Sequence, residues 1–249
     1  MFGTPLSVIA TGQGPRIVLV HGFTQTAASW APIADRLPGH EVVAVDAPGH
    51  GGSPPPEGGM GEAAAALGAT GGRAVYAGYS MGGRICLRLA ADRPDLVERL
   101  VLIGASPGLA TPAERAARVA ADEALAARLE RDGVAAFLDD WLAQPLFATL
   151  PAGAAGRAER LANRPEGLAA ALRRLGTGAQ EPLHDRLAGL GMPVLLIAGA
   201  LDTKFAGLAG RMAAAIGPGA RVELVEGAGH AVHLERPDAV AALIREFAG

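Results

Sequence analysis

The sequence contains very little of several residue types, and each scarcity excludes a class of protein or site. Cys86 is the only cysteine in 249 residues, which excludes a disulfide within the chain and a cysteine-based metal site. Aromatic residues make up only 4% of the chain. Lys204 is the only lysine among 22 basic residues. This imbalance indicates a codon bias toward arginine, so an ordinary arginine carries little information here.

Long hydrophobic runs and a strong net charge are also missing. The longest apolar stretches, 99–104 and 193–199, are far shorter than the about 20 residues that cross a bilayer. Residues 1–5 show no basic region followed by an apolar stretch, so we expect no export signal. A net charge of −3 and a pI near 6.1 argue against nucleic acid or anionic membranes as partners. A cytoplasmic enzyme, either a monomer or a homo-oligomer, fits these features.

What the chain does have is a repeated alternation of short apolar runs with alanine- and leucine-rich helical stretches. Most of the runs are continuously apolar, as parallel strands covered on both faces are. The pattern predicts an α/β fold with a mostly parallel, doubly wound sheet. The seven predicted strands are 6–10, 17–21, 41–46, 74–78, 100–104, 194–199 and 221–225.

The alternation stops between residues 106 and 191. This stretch shows helical patterns with breaks near Pro145, 151–156 and Pro165, and its first helix begins with a capping pattern at Thr111. A helical segment of roughly 85 residues between two strands predicts a lid inserted into the α/β core. We therefore expect core at 1–105, lid at 106–191 and core at 192–249.

Two further segments carry local predictions. Residues 51–61, rich in glycine and proline, are expected to form a surface loop. The helix that follows this loop is expected to be abbreviated for the same reason. The last helix is predicted at 237–247, with one apolar face packed on the sheet.

One pentapeptide points to nucleophilic chemistry. Gly78-Tyr79-Ser80-Met81-Gly82 matches G-x-S-x-G, lies between a predicted strand and a predicted helix, and so fits a nucleophile elbow of the α/β-hydrolase type. A serine hydroxyl becomes reactive when a histidine takes its proton and an acid orients that histidine.

Suitable partners follow later strands, in the chain order of the α/β hydrolases. Asp202 follows the strand at 194–199 and His230 follows the strand at 221–225. Glu226 is too close to His230 in the chain to serve as the usual acid. His21 and His50 also end strands, but each lies in a glycine-rich turn that favours local hydrogen bonding instead.

The loop after the second strand, His21-Gly22-Phe23-Thr24, suits an oxyanion hole. In this fold such a loop supplies one backbone N–H, and the residue after the nucleophile supplies another. The sequence therefore nominates the amides of Phe23 and Met81.

Arg84 indicates what kind of substrate is bound. It lies four residues after Ser80, on the same helix face and in the first turn, where a cation opposes the helix dipole. That unfavourable placement suggests an anionic ligand. The alternative is an exposed arginine supplied by codon bias.

A resemblance to one family rests on the segments 21–26 (HGFTQT), 46–51 (DAPGHG), 78–84 (GYSMGGR), 106–109 (SPGL), 114–122 (ERAARVAAD), 141–147 (WLAQPLF), 172–180 (LRRLGTGAQ), 202–205 (DTKF) and 229–230 (GH). The HGF, PGHG and G-x-S-x-G pieces are shared across a whole superfamily, whereas GYSMGGR, the segments within 106–191 and DTKF are much more specific together. Over nearly its whole length the chain resembles the 2-succinyl-6-hydroxy-2,4-cyclohexadiene-1-carboxylate synthases of menaquinone biosynthesis, members of the α/β-hydrolase superfamily.

This resemblance implies a lyase that removes pyruvate from a cyclohexene carrying a ring carboxylate, a succinyl group and an enolpyruvyl group. Ser80, with His230 and Asp202, would abstract a proton next to the succinyl ketone, and the amides of Phe23 and Met81 would hold the enolate. The resemblance implies no cofactor. In agreement, the sequence contains no H-E-x-x-H zinc motif, P-loop or dinucleotide fingerprint, and we expect no metal site.

The resemblance also implies residues that bind a small, multiply anionic substrate. They are Tyr79, Arg84, Arg118, Trp141, Arg160 and Lys204. Packing is an alternative role for Trp141, and capping of a loop is one for Lys204. Arg118 could form a solvated helix pair with Asp122, four residues on. Arg157 or Arg164 could act in place of Arg160.

Four other functions remain open at this point. A serine carboxylesterase, a haloperoxidase-like enzyme or a carbon–carbon hydrolase would use the same three catalytic residues, and a non-catalytic member of the superfamily would only bind a ligand. A neutral ester gives an enzyme no use for several arginines in its pocket. The direction in which Arg84, Arg118 and Arg160 point is therefore the discriminating feature.

Overall fold

The computed structural model describes residues 5–249 and contains one seven-stranded sheet. The strands confirm the seven predicted runs, with ends displaced by up to three residues. They are β1 (Val8–Thr11), β2 (Arg16–Val20), β3 (Glu41–Val45), β4 (Ala74–Tyr79), β5 (Val97–Ile103), β6 (Val194–Gly199) and β7 (Ala220–Val225).

The strand order creates a crevice at one edge of the sheet. The order is β1-β3-β2-β4-β5-β6-β7, with β1 antiparallel to β3 and every other neighbouring pair parallel. The chain passes from β2 to β3 on one side and then returns to β4 on the other. Ligands of open α/β sheets bind at the carboxyl ends of the strands at such a switch point. The loop after β2 and the turn after β4 both begin there.

Successive residues of the strands pack on opposite faces of the sheet. In β2, Val18 and Val20 join one buried cluster, whereas Ile17 and Leu19 join the other. This period of two explains why the strands read as continuously apolar, because both faces are covered. The prediction of a doubly wound sheet is confirmed.

Nine helices accompany the sheet within residues 5–249. They are α1 (Ala31–Ala34), α2 (Met60–Gly71), α3 (Met81–Asp92), α4 (Pro112–Leu142), α5 (Arg157–Arg160), α6 (Pro165–Leu175), α7 (Thr203–Ile216), α8 (Val232–Glu235) and α9 (Pro237–Ala248). None of them is long and apolar enough to cross a membrane.

The expectation of an abbreviated helix before β4 is wrong. Helix α2 has 12 residues, as many as α3, and the loop before it ends at Gly59. The alanine run at 63–66 favours helix, and Gly68 is useful for packing. A Cβ at Gly68 would lie 2.9 Å from the side chain of Leu89 on α3, so the glycine lets the two helices approach.

The helices between β5 and β6, α4 to α6, form an insertion in the α/β core at the predicted position and are referred to as the lid. Helix α4 begins at the predicted cap, where the Thr111 hydroxyl accepts a hydrogen bond from the Glu114 N–H and the Glu114 carboxylate accepts one from the Thr111 N–H. It kinks at Gly133, whose φ is 77°, a feature that we did not predict. Buried residues of α4 and α6 form a separate apolar cluster, against which Phe23 of the core packs.

Candidate active site

Ser80 lies on the tight turn between β4 and α3. Its φ of 50° is left-handed, a conformation that costs a non-glycine residue about 1–3 kcal/mol. Its backbone N–H donates to the carbonyl of Ile103 over 2.8 Å. Gly82 permits the close packing of the turn, since a Cβ there would lie 2.2 Å from the carbonyl oxygen of Val20. The geometry is that of a strained strand-to-helix elbow that presents its serine.

His230 lies between Ser80 and Asp202, and each ring nitrogen faces one of them. Nδ1 is 2.8 Å from Oδ2 of Asp202, and Nε2 is 3.4 Å from Oγ of Ser80. The carboxylate only accepts, so Nδ1 donates to it, and Nε2 of the neutral ring turns a lone pair toward the hydroxyl. Such hydrogen bonds are often long before substrate binds. The structure thus brings the three nominated side chains together.

Both carboxylate oxygens of Asp202 are held in place. Oδ2 faces His230, and Oδ1 accepts a hydrogen bond from the N–H of Phe205, 3.1 Å away in the first turn of α7. Burial by itself raises the pKa of Asp202, but the hydrogen bonds from His230 and from the Phe205 amide outweigh it. The net result is a pKa below the ordinary value. Asp202 therefore stays ionised, as the partner of an imidazolium must.

The loop after β2 is fixed by contacts from two other segments. Its Thr24 has a strained φ of 69°, and its N–H donates to Nε2 of His50 over 3.3 Å. Two residues of the lid complete the fixation. Nη1 of Arg160 donates to the Thr24 hydroxyl, and the side-chain amide of Asn163 donates to the Thr24 carbonyl over 2.7 Å. The conformation of this loop therefore depends on the lid.

The two nominated oxyanion amides are free to donate. Neither the N–H of Phe23 nor that of Met81 has a hydrogen-bond acceptor within residues 5–249. Met81 is also the first residue of α3, where the unpaired amides of a helix carry partial positive charge. Two free N–H groups, one after β2 and one next to Ser80, are consistent with the predicted oxyanion hole.

His21 and His50 are structural in this arrangement. Nε2 of His21 accepts from a backbone N–H of the loop after β3 over 3.0 Å, so Nδ1 carries the proton and donates to Gly22. His50 accepts at Nε2 from the Thr24 N–H and donates from Nδ1 to the Pro48 carbonyl. Burial lowers the pKa of His21 to about 4 and that of His50 to about 3. Both rings are neutral and fully engaged.

Arg84 points inward rather than into solvent. It is 8% exposed, and its Nη1 donates to the Leu175 carbonyl over 2.8 Å and to Oε1 of Gln180 over 2.9 Å. Burial, and next the nearby charge of Arg118, lower its pKa to about 10, whereas the carboxylate of Asp122 opposes this shift. Its Nε and Nη2 have no partner among the described residues, yet neither atom is sealed from solvent. The guanidinium remains charged and has unused donors.

The Arg118–Asp122 pair is not the solvated pair considered as an alternative. Nε of Arg118 is 2.8 Å from Oδ1 of Asp122, but the aspartate side chain is only 3% exposed against 40% for the arginine. Oδ2 of Asp122 is buried, with no partner in the part of the chain that the structure describes. Burial raises the pKa of Asp122, in opposition to Arg118 and Arg84. Arg84, Arg118 and Asp122 thus form one cluster with a formal charge of about +1.

Among the three neighbouring arginines of the lid, only Arg160 is buried. It is 2% exposed, and burial lowers its pKa to about 10. Its Nε donates to the Ala155 carbonyl over 2.7 Å, and its Nη2 has no partner among the described residues and stays in contact with solvent. By contrast, Arg157 pairs with Asp139 on the surface, and Arg164 is exposed.

Trp141, near the end of α4, packs against the loop that follows β2. Its ring stacks on Phe137 with centroids 5.6 Å apart, and it meets Phe23 edge-on at 5.1 Å. Phe147, 6.0 Å from Trp141, continues this aromatic wall to within 6.4 Å of the His230 ring. The indole Nε1 is buried and has no partner within residues 5–249. These contacts support the packing role of Trp141.

Lys204 and Tyr79 lie on opposite sides of the histidine. The exposed Lys204 places its Nζ 5.6 Å from the ring centroid of Phe205, and that ring lies 4.5 Å from His230. Tyr79 is buried, with its ring 5.3 Å from His230, and burial raises the pKa of its hydroxyl. Lys204 is thus at the solvent side of the site and Tyr79 is on its inner side.

Several residues that support the site were not predicted from the sequence. Glu235 binds the loop that carries His230, Gln180 binds Arg84, and Asn163 binds Thr24. His233 packs against Tyr79 with ring centroids 4.1 Å apart and contacts the amide of Gln25. Except for the bond of Glu235 to Gly229, six residues away, these contacts join segments that are distant in the chain, so no local pattern could have revealed them. No group of three or more His, Cys, Asp or Glu side chains in residues 5–249 is placed to hold a metal ion.

Comparisons with known proteins agree with this geometry. A model described as the alpha/beta hydrolase family matches residues 17–243. A relative from Salmonella schwarzengrund (strain CVM19633), named 2-succinyl-6-hydroxy-2,4-cyclohexadiene-1-carboxylate synthase, is 34% identical over 245 residues and covers 93% of this chain and 94% of its own.

Two solved structures show how far the similarity in shape extends. MenH from S. aureus has a TM-score of 0.89 at 28% identity, covering 96% of this chain and 97% of its own. A malate-bound thermophilic esterase from Thermogutta terrifontis has a TM-score of 0.83 at 26% identity, covering 97% and 92%. The fold alone thus accommodates both chemistries. By sequence, however, the chain belongs to the α/β hydrolases and, within them, to the 2-succinyl-6-hydroxy-2,4-cyclohexadiene-1-carboxylate synthase family.

Proposed function

We propose that the protein is a carbon–oxygen lyase of menaquinone biosynthesis. It eliminates pyruvate from 2-succinyl-5-enolpyruvyl-6-hydroxy-3-cyclohexene-1-carboxylate and gives 2-succinyl-6-hydroxy-2,4-cyclohexadiene-1-carboxylate. Membership of the synthase family supports this activity. So does the pairing of a Ser-His-Asp arrangement with cationic side chains, as a substrate with three carboxylates requires.

One observation carries the proposal beyond a general serine hydrolase. Arg84 and Arg160 are each more than nine-tenths buried, and neither forms an ion pair with a carboxylate of residues 5–249. A buried charge without a counter-charge is unfavourable. Anionic groups of a substrate would supply that counter-charge, and the planar guanidinium suits carboxylates. An esterase for neutral substrates would gain nothing from this arrangement.

In the proposed reaction, the three catalytic side chains act as a base. Nε2 of His230 takes the proton of the Ser80 hydroxyl while Oγ removes the proton from the carbon next to the succinyl ketone. Asp202 holds Nδ1–H and stabilises the imidazolium. Negative charge that develops on the ketone oxygen is bound by the amides of Phe23 and Met81, which are preorganised and add no reorganisation cost.

Elimination completes the reaction without a covalent intermediate on the enzyme. The electron pair of the broken C–H bond forms a double bond between ring carbons 2 and 3, and the existing double bond shifts from carbons 3 and 4 to carbons 4 and 5. The bond between carbon 5 and the enolpyruvyl oxygen breaks, which gives the 2,4-diene. The leaving enolate takes a proton from the imidazolium and tautomerises to pyruvate. No electrons are gained or lost overall, so the chemistry requires no redox cofactor.

The remaining nominated residues bind the substrate in this proposal. Arg84, Arg118 and Arg160 bind its carboxylates, while Trp141 and Tyr79 line the ring site and Lys204 attracts the anion from the solvent side. Residues 106–191 act as the lid over this site. The partner is thus a small, multiply anionic molecule, and a cytoplasmic location fits a biosynthetic enzyme acting on such a metabolite.

The test compares two substrates on the same protein. Pyruvate released from the enolpyruvyl substrate is measured with lactate dehydrogenase and NADH, beside the hydrolysis of p-nitrophenyl acetate. We expect efficient pyruvate release and slow ester hydrolysis. Ser80→Ala and His230→Ala should each abolish pyruvate release with the fold intact, and Arg84→Ala should impair that reaction far more than ester hydrolysis. The opposite preference of the wild type would identify an esterase instead.

A further inference from the structure

We propose that Gln180 is a positioning residue that orients Arg84 toward a substrate carboxylate. As a neutral hydrogen-bond acceptor, it leaves the positive charge of Arg84 uncompensated, so that this charge can bind the substrate. The proposal rests on the proposed function, since it concerns the same site and the same anionic substrate. It assigns a specificity-determining role to a side chain that makes no contact with the reacting atoms.

The two partners of Arg84 leave one edge of its guanidinium open. The Leu175 carbonyl and Oε1 of Gln180 both accept from the same atom, Nη1. Nε and Nη2 therefore remain without partners among the described residues, and both keep contact with solvent. These two nitrogens form the side of the guanidinium on which a carboxylate docks with two parallel hydrogen bonds. Gln180 thus helps to turn the correct edge toward the ligand.

The chemical type of residue 180 matters as much as its position. Gln180 is 1% exposed, and its Nε2 is buried with no acceptor in the described part of the chain, which is an unfavourable state for an amide. A glutamate of the same shape would avoid the unpaired N–H and bind Arg84 more strongly. It would also neutralise the cation. A neutral acceptor in this place is consistent with selection for binding an anion and not for stability.

The neighbouring arginine illustrates the alternative. Arg118 is bound by the buried carboxylate of Asp122, whereas Arg84 is bound only by neutral oxygens. The cluster of these two arginines and one aspartate therefore keeps a net positive charge. Replacing Gln180 by an acid would cancel it. Leu175 and Gln180 belong to the lid segment, whereas Arg84 belongs to α3. Packing of the lid on the core therefore also sets the orientation of Arg84.

The experiment uses Gln180→Glu, with Gln180→Met as a second variant and Glu181→Gln as the control. Glu181 is the next residue, and its exposed carboxylate pairs with Arg88 on the surface over 3.1 Å. We expect Gln180→Glu to melt at or above the wild-type temperature and yet to raise KM about tenfold or more, with a smaller change in kcat. Gln180→Met should raise KM less, and Glu181→Gln should match the wild type.

A purely structural glutamine predicts the opposite pattern. Both Gln180 variants would then lose thermal stability, and the folded fraction would keep the wild-type KM, which would overturn the proposal. A wild type that releases no pyruvate would refute the proposed function but not this inference. In that case, citrate, a tricarboxylate, is titrated against thermal stability. Stronger stabilisation of the wild type than of Gln180→Glu supports the role of Gln180, and equal stabilisation contradicts it.

Discussion

The carboxylate of Glu235 accepts a hydrogen bond from the backbone N–H of Gly229, the residue before His230. Oε2 of Glu235 lies 2.8 Å from that nitrogen, and Oε1 is buried without a partner in residues 5–249. Burying a carboxylate that accepts only one hydrogen bond is unfavourable. Its presence here indicates that the position of the Gly229 amide is important. The bond fixes the loop that carries the imidazole.

From this bond we predict a kinetic effect of Glu235. Glu235→Ala should lower kcat about 10- to 100-fold, with little change in KM, because the base moves while the anion site stays. Glu235→Gln keeps an acceptor for the Gly229 amide and should restore most of the activity. Asp238→Asn, on the exposed start of α9, is the control. Equal losses of kcat in Ala and Gln variants would contradict a positioning role.

The burial of Arg160 leads to a second prediction. Arg160→Ala should lower kcat/KM for pyruvate release by about 10- to 100-fold, because a charged hydrogen-bond donor is lost from the substrate and from Thr24. Arg164→Ala, four residues on and exposed, is a matched control that should keep wild-type kinetics. Steady-state assays of both variants decide the question. An effect of Arg164→Ala equal to that of Arg160→Ala would show that general charge, and not a specific contact, matters.

The carboxylate of Asp202 sets the tautomer of His230, which gives a third prediction. In Asp202→Asn the side-chain amide can donate to Nδ1 and drive the ring proton to Nε2, which then cannot accept from Ser80. We expect kcat for pyruvate release to fall about 10²- to 10⁴-fold while circular dichroism stays unchanged. Wild-type kcat in this variant would show that the acid does not orient the base.

The neutral histidines His21 and His50 predict that the fold is sensitive to acid. Their pKa values in the native state, about 4 and about 3, lie below the about 6.5 of an unfolded histidine. Between pH 6.5 and 4 the unfolded state therefore binds protons that the native state does not. The free energy of unfolding should fall as pH falls through this window, by about 1.4 kcal/mol per pH unit for each histidine.

Urea unfolding at several pH values in this window checks the prediction. His50→Gln should show a shallower pH dependence than the wild type, because one of the two groups no longer titrates. His184→Gln, which replaces an exposed histidine, should keep the wild-type slope. A free energy of unfolding that stays constant across the window in both the wild type and His50→Gln would contradict the assignment of neutral buried rings.

The fold and the proximity of the three candidate catalytic side chains could be predicted because their signals are local. A strand that is buried on both faces is recognised by consecutive apolar residues, as at 17–20. The turn around Ser80 is recognised by glycines within two residues of it. Asp202 and His230 could be located because each directly follows a strand, and strand ends of a parallel sheet meet at one edge.

The supporting contacts could not be predicted, since they depend on packing between distant segments. Gln180 meets Arg84 across 96 residues, and Asn163 meets Thr24 across 139. The sequence alone also did not indicate which of Arg157, Arg160 and Arg164 is buried. Helix α5 has only four residues, and which of its sides faces inward is set by the core below it. The length of α2 was misjudged because glycine was taken as a breaker where it serves close packing.

The hydrogen bonds from Arg160 and Asn163 to Thr24 tie the covering segment to the loop that bears the Phe23 amide. If this segment moved away, the strained loop would lose these hydrogen bonds. A site open to bulk water would then lack the Phe23 amide, one of the two donors proposed for a developing anion. We expect the protein to be active only when it is closed around its substrate. In the open state, Ser80 would then hydrolyse esters poorly, although no particular residue excludes esters from the site.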